Sequence, residues 1–234
     1  YDYSYTQKID NETLGITHEL SINVITPLNE THQNINALKM QSLNSDELLI
    51  VLEDAAGFSK DLVTYKQTEK YIRQNTASYG DPQRNQILSF KKDNNTKLGK
   101  SVFESVKKML IGAKFIVRSE ELEITGSDPK TRIESAFGLL VDRVYSKLSL
   151  LRGLQYTADT VRTSYNDAKN NMFSDNELVA TEPEQEILNH VNRKKDEGLR
   201  VTLQTLEKAF KEKVYGWPSP AIFATLAGLF GKGT

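Results

Sequence analysis

The spacing of apolar and polar residues changes several times along this chain. Tyr1, Tyr3 and Tyr5 alternate with polar neighbours, as do Leu20, Ile22 and Val24. A period of two places one set of side chains on one sheet face and predicts strands. Pro27 ends the second run, and Asn29 to Asn36 is polar and predicts a loop. Leu48 to Leu52 is a continuous apolar run, the pattern of a buried strand. After Gly57 the period lengthens. Phe58, Leu62, Tyr65 and Ile72 repeat at helical spacing up to Arg73. Asp81-Pro82 predicts a helix start, with Asp as cap and Pro where an N–H has no partner. Ile87, Leu88 and Phe90 follow, and Asp93-Asn94-Asn95 predicts a break. Leu98, Val102, Val106, Met109, Leu110 and Ala113 then form an amphipathic stripe.

Phe115, Val117, Leu122 and Ile124 predict a β-hairpin within 115–125, ended by Gly126. Asp128-Pro129 opens the strongest helix, with Ile133, Phe137, Leu140, Val141, Val144, Leu148 and Leu151 on one face. Tyr156 to Met172 is a weaker helix, and the polar, acidic stretch Asp175 to Glu182 reads as a linker. Three helices follow, started by Pro183, Thr202 and Ser219-Pro220. The expected fold class is α+β, predominantly helical. A small mixed sheet lies near the N-terminus, with residues 1–57 a strand-rich region and 58–174 a helical body carrying a short hairpin. Residues 183–234 form a three-helix, winged-helix-like module truncated at the wing. Tyr1 in place of an initiator Met, and a last residue where a wing would begin, make a piece of a larger protein the expectation.

Composition narrows the class. The 234 residues are 38% hydrophobic and 26% charged, as in a soluble globular protein. No apolar run approaches the ~20 residues of a membrane span. With no cysteine there are no disulfides or thiolate metal sites, which fits a cytoplasmic protein. The net charge of -1 hides a segregation. Residues 1–61 hold ten acidic residues against Lys8, Lys39 and Lys60, whereas 84–114 hold eight basic residues against Asp93 and Glu104. Such a field suits a polyanion or an acidic partner.

Catalytic chemistry finds little support. His18, His32 and His190 are scattered, without metal-ligand spacing. Gly228 to Thr234 resembles a phosphate loop only superficially. Its Lys232 precedes Gly233, and a helix rather than a strand leads into it, so it reads as a helix C-cap. Glu120, Glu121 and Glu123 read as a solvated face. The positive signal is the run Lys91, Lys92, Lys97, Lys100, Lys107 and Lys108. It is a candidate for phosphate contact, set against an ordinary lysine-coated face. Phe90 and Phe103, beside these lysines, are assigned to the core. The last helix, Ser219 to Phe230, offers no Arg, Lys, Asn or Gln to base edges. Tyr215 and Trp217 are expected either to staple the final loop onto the helices, with Trp217 against Phe210 or Leu206, or to anchor an interface.

Four stretches carry a family resemblance: Tyr71-Ile72-Arg73-Gln74-Asn75, Ile87 to Asn95, Asp128 to Leu148, and Tyr215-Gly216-Trp217-Pro218 with its following helix. They resemble the BREX (bacteriophage exclusion) P-loop proteins, the BrxC and PglY-like family. The resemblance implies a cytoplasmic ATPase of phage defence. It would act with a DNA methyltransferase, a PglZ-type protein and small accessory proteins. The Walker motifs of that family are absent from this segment, so ATP and Mg belong to a core outside it and no functional residue carries over. The expected role is a non-catalytic scaffold and interaction segment. The alternatives are a DNA-contacting segment of the same assembly and an enzyme domain in its own right.

Overall fold

The structure, a computed structural model, describes residues 3–75, 82–171 and 180–233. Tyr1, the Asp81 cap, Met172, most of the 175–182 linker and Thr234 lie outside the described residues. The chain divides into two compact units, Tyr1–Leu140 and Val141–Thr234.

The first unit is built on one mixed sheet of six strands. They are β1 (Tyr5–Ile9), β2 (Glu12–Leu14), β3 (Leu20–Ile25), β4 (Glu47–Val51), β5 (Lys114–Val117) and β6 (Glu120–Leu122), in the order β2-β1-β3-β4-β5-β6. β1, β3 and β4 run parallel, while β2 and β5–β6 pair antiparallel. Two two-residue turns close the hairpins, with positive φ at Asp10 and Asn11 (50° and 72°) and at Arg118 and Ser119 (47° and 70°). That handedness matches strand twist. The buried Asn23 of β3 holds the first turn, its Nδ2 donating to Asn11 Oδ1 at 2.8 Å.

Two expectations change here. The 115–125 hairpin, expected within the helical body, pairs directly with β4 and completes the sheet that the strands of the 1–57 region begin. A helix, α1 (Ile35–Ser42), follows the predicted loop, because parallel strands such as β3 and β4 need a crossover. Asn34 caps it, its side chain accepting from Ala37 N at 3.0 Å. Leu38 of α1 packs with Ile25, Leu49, Val51 and Ile116 on one sheet face. The first turns of α4 (Pro129–Val144) serve the other. There Phe137 lies 5.2 Å from Tyr5, and Arg132 stands 5.1 Å over the Phe115 ring. Asp128 caps α4 by accepting from Thr131 N at 2.9 Å, and these Thr131 hydrogen bonds hold its carboxyl below the ordinary range.

Between β4 and β5 stand α2 (Phe58–Asn75) and α3 (Pro82–Gly112). The predicted break at 93–95 does not occur. Asp93 and Asn94 face solvent, only Asn95 turns inward, and the helix continues through all three. At its C-terminal end the Arg132 guanidinium donates to the carbonyls of Leu110 (3.4 Å) and Ala113 (3.3 Å), where helical partners have run out.

The second unit holds the last turn of α4, which stops at Val144 rather than Leu151, then a 3-10 turn (Leu148–Leu151), α5 (Ala158–Asn171), α6 (Glu182–Asp196), α7 (Leu203–Lys211) and α8 (Ser219–Gly231). Helix α8 packs on α5, α6 and α7, with most of its contact on α5. A Cβ on Gly231 would come within 2.7 Å of Ala168 Cβ. The 58–174 helical body expected from the sequence includes α5. Small residues at the α5–α8 contact bring it into the terminal unit instead.

Candidate functional site

Helices α2 and α3 form an arm whose close packing is between its own two members. On α2, Phe58, Leu62, Tyr65, Thr68 and Ile72 are half-buried at three- and four-residue steps, and no residue is fully buried. On α3 the matching stripe is Leu88, Asn95, Leu98, Gly99, Val102, Val106 and Met109. This is the spacing of a coiled-coil seam, with polar and very small residues at its middle. The Tyr65 ring fits over Gly99, where an added Cβ would lie 2.7 Å from Cε2.

All six candidate lysines lie on α3 and are exposed. Lys97, Lys100, Lys107 and Lys108 lie away from the seam. Lys91 and Lys92 flank it, and the Lys91 ammonium stands 5.7 Å over the Tyr71 ring. The two helices together carry eleven basic and four acidic residues, a net +7. The structure corrects the placement of the aromatics. Phe90 is 67% and Phe103 68% exposed, and Ile87 is 55% exposed. A helix that packs on one partner along one stripe has no core to offer at those positions. The lysines are therefore interleaved with exposed rings, and Phe90 and Phe103, expected in the core, lie on the solvent side.

Beside the seam is a groove of about 520 Å³, lined by Ile87, Phe90, Lys91, Asn94, Leu98 and Asn95 of α3 with Thr64, Thr68 and Gln86. Asn95 is 8% exposed, and its Oδ1 has no hydrogen-bond partner among the described residues.

In the second unit Trp217 is 1% exposed and lies 5.0 Å from Phe210 between ring centroids. Its Nε1 donates to Lys147 O at 3.0 Å. Tyr215 packs tilted against Phe210, 4.3 Å between ring centroids, and donates its hydroxyl to Glu186 at 2.9 Å. Glu186 also accepts from Lys147, and this bond first, then Tyr215, holds its carboxyl below the ordinary value. Burial, reinforced by Glu186, pushes the Tyr215 phenol up to about 12. The pair thus keeps the proton on the phenol and leaves the carboxylate ionised at neutral pH. Burial, with Arg193 and Lys194 nearby, pushes His190 down. This is a packing cluster with a polar rim.

The remaining candidates have local tasks. His32 Nε2 lies 2.6 Å from Leu52 O, the backbone N of His18 donates to Thr6 Oγ1, and His190 meets the edge of Phe210. Glu120 and Glu123 are exposed. Glu121 pairs with Lys39 and Lys114. Lys232 makes a buried ion pair with Glu184 at 2.6 Å, while Gly228 and Gly231 lie inside α8 at close contacts. No group of three or more His, Cys, Asp or Glu among the described residues could hold a metal ion, and no described helix is long and apolar enough to cross a membrane.

Residues 1–140 match a family model described as "BREX ATP-binding protein BrxC 4th domain with six-stranded beta sheet". The matched span coincides with the first compact unit, and its six strands agree with that description. It contains the 71–75 and 87–95 stretches and the first part of 128–148, while Tyr215-Gly216-Trp217-Pro218 lies beyond it. No solved structure matches the chain.

Proposed function

The chain belongs to the family of the BREX ATP-binding protein BrxC through its fourth domain, and on that premise we propose that it is a non-catalytic scaffold and interaction segment of a BREX phage-defence ATPase. The α2–α3 arm carries this reading. It spends no side chain of α2 on a buried core, yet it displays Ile87, Phe90 and Phe103 to solvent. Exposed apolar groups that adjoin, as Ile87 and Phe90 do one helical turn apart, mark a contact surface. Its partners would be the other BREX proteins: the methyltransferase, the PglZ-type protein and the small accessory proteins. ATP and Mg would bind in the ATPase core, outside this segment. The test is binding of the purified chain to each purified BREX protein, with ATP hydrolysis assayed alongside. At least one partner should bind, and hydrolysis should stay at background. Hydrolysis that survives Lys232→Ala, or the absence of any bound partner, overturns the reading.

A second reading is favoured by the lysines. Lys92, Lys97, Lys100 and Lys108 have no ion pair among the described residues, and the arm's net +7 supplies a field for duplex DNA. Such contact would be sequence-independent, because lysine contacts to phosphates carry no sequence information.

A further inference from the structure

We propose that the groove beside the α2–α3 seam receives an amphipathic helix of a partner protein, apolar on its inner face, acidic on its flanks, and carrying a hydrogen-bond donor that reaches Asn95. This rests on the scaffold reading and names the chemistry of the partner. Three independent observations carry it.

The first is shape. Two antiparallel helices leave a furrow along their line of contact, and a third helix fits such a furrow by ridge-and-groove packing. The furrow here is lined by Ile87, Phe90 and Leu98, and the first two of these are largely exposed. A docked helix would cover them.

The second is charge. The arm carries a net +7, and Lys91 stands on the groove's rim. Acidic flanks on the incoming helix complement that field, which favours the correct partner and speeds encounter. A second copy of this arm would bring another +7 and is disfavoured. Duplex DNA would satisfy the outer lysines, but its phosphates cannot cover Ile87 and Phe90.

The third is Asn95. An inward amide at the centre of a helical seam costs stability when an acceptor lies unpaired. Its Oδ1 is buried and unpaired, and the residue lines the groove. A donor from the docked helix (a Gln, Asn, Ser or Arg side chain) would satisfy it once the amide turns toward the groove, and would fix the register, as a single polar residue does in coiled coils.

The experiment places the photo-cross-linker p-benzoylphenylalanine at position 94, and as a control at position 9 on β1, in the full parent protein within the assembled BREX complex. The cross-linked peptide is sequenced. Position 94 should capture a protein segment with an apolar stripe at helical spacing and flanking Asp or Glu. Capture should fall about tenfold with Phe90→Ser and with Lys91→Glu, the loss expected for a central interface residue. Asn95→Leu should raise the thermal stability of the arm while weakening capture, a split that a purely structural amide would not give. Cross-links to DNA, to a second copy of this chain or to a segment without acidic flanks overturn the proposal. So does no cross-link, or capture indifferent to Phe90→Ser. A BREX protein that binds the parent chain and the Phe90→Ser chain equally leaves the scaffold reading standing while the groove falls. If no BREX protein binds either chain, the scaffold reading itself falls.

Discussion

The ring of Tyr65 occupies the space that a side chain at residue 99 would need. An ideal Cβ on Gly99 would sit 2.7 Å from Tyr65 Cε2 and 3.3 Å from Cζ. Glycine in the middle of a 31-residue helix is otherwise a cost, because it loses the most backbone freedom on folding. The arm accepts that cost where the two helices must approach closely and an aromatic ring must lie between them.

Substitution at Gly99 should therefore set two effects of similar size against each other. Gly99→Ala gains roughly 1 kcal/mol of helix propensity and loses a similar amount in displacing the ring, so its thermal midpoint should stay near the parent's. Gly99→Leu adds volume the ring cannot yield and should destabilise the arm by about 1–3 kcal/mol. Combining Gly99→Ala with Tyr65→Leu should be more stable than the sum of the single changes, because the clash is gone. Thermal unfolding followed by circular dichroism reads all three. An additive pair would show that the ring is not the obstacle.

At Gly216 no such balance exists. Its φ of +63° is left-handed, and an added Cβ would lie 2.5 Å from Tyr145 Cδ1. Gly216→Ala should cost about 1–2 kcal/mol for backbone conformation alone, with the clash added. Tyr145→Ala should relieve only the steric part, so the double variant should still fall short of Tyr145→Ala alone. Chemical denaturation of the second unit measures this.

How much of this was legible in the sequence depends on what each residue touches. The strand at 20–25, the 115–125 hairpin and the helix starts at Pro129, Thr202 and Ser219-Pro220 follow from local periodicity and capping, and they appear where expected. Helix α1 is not evident from the sequence because its eight residues make only about two turns, too short for a helical period to show, though Asn34 held a capping signal. The false break at 93–95 came from reading three polar residues as punctuation, when one faces a partner helix and two face water. Phe90 and Phe103 were misplaced for a related reason. Hydrophobicity says what prefers burial, whereas only the tertiary contact says how many partners a helix has. The lysine run was legible as charge. The groove was not, since it is made jointly by α2 and α3.

The second unit should lose stability in two steps on acidification. His190 is pushed below its ordinary 6.5 chiefly by burial, then by Arg193 and Lys194, with Glu197 opposing. The unfolded chain therefore takes its proton first, and stability falls as pH drops below about 6.5 until the folded histidine titrates. Glu186 is held below 4.5 by Lys147 and Tyr215, so its contribution is full above that value and is lost as pH falls through the lower, folded one. His190→Gln should flatten the first limb and Glu186→Gln the second. Denaturation midpoints measured from pH 8 to pH 3 for the parent and both variants check this. A parent more stable at pH 5 than at pH 7 in this unit would contradict it.

Trp217 supplies a direct optical reading of the same unit. Its ring is 1% exposed, against Phe210 and within 5.5 Å of Tyr215. As the chain's only tryptophan, it should emit blue-shifted and resist added quencher. Trp217→Ala should cost ~3–5 kcal/mol. Trp217→Phe keeps much of the packing but removes the Nε1 hydrogen bond to Lys147 O, which retains only Leu150 N at 3.3 Å, and should cost about 0.5–1.5 kcal/mol. A red-shifted, freely quenched parent emission would mean that the ring is an exposed anchor.

The lysines of α3 give the decisive test of contact with DNA. If Lys97, Lys100, Lys107 and Lys108 each neutralise a phosphate, the logarithm of affinity should fall with the logarithm of salt concentration, with a slope of about −0.9 per contact. Four contacts then give a slope near −3.6, and replacing all four lysines with Gln should flatten it by about that amount while leaving circular dichroism unchanged, since the four side chains are solvent-exposed. Binding should be equally strong for unrelated duplex sequences, because phosphates carry no sequence. Fluorescence anisotropy with two labelled duplexes at four salt concentrations is sufficient. A quadruple variant that binds as the parent does, or a parent that fails to bind even at low salt, removes DNA from this surface and leaves its charge to an acidic protein partner.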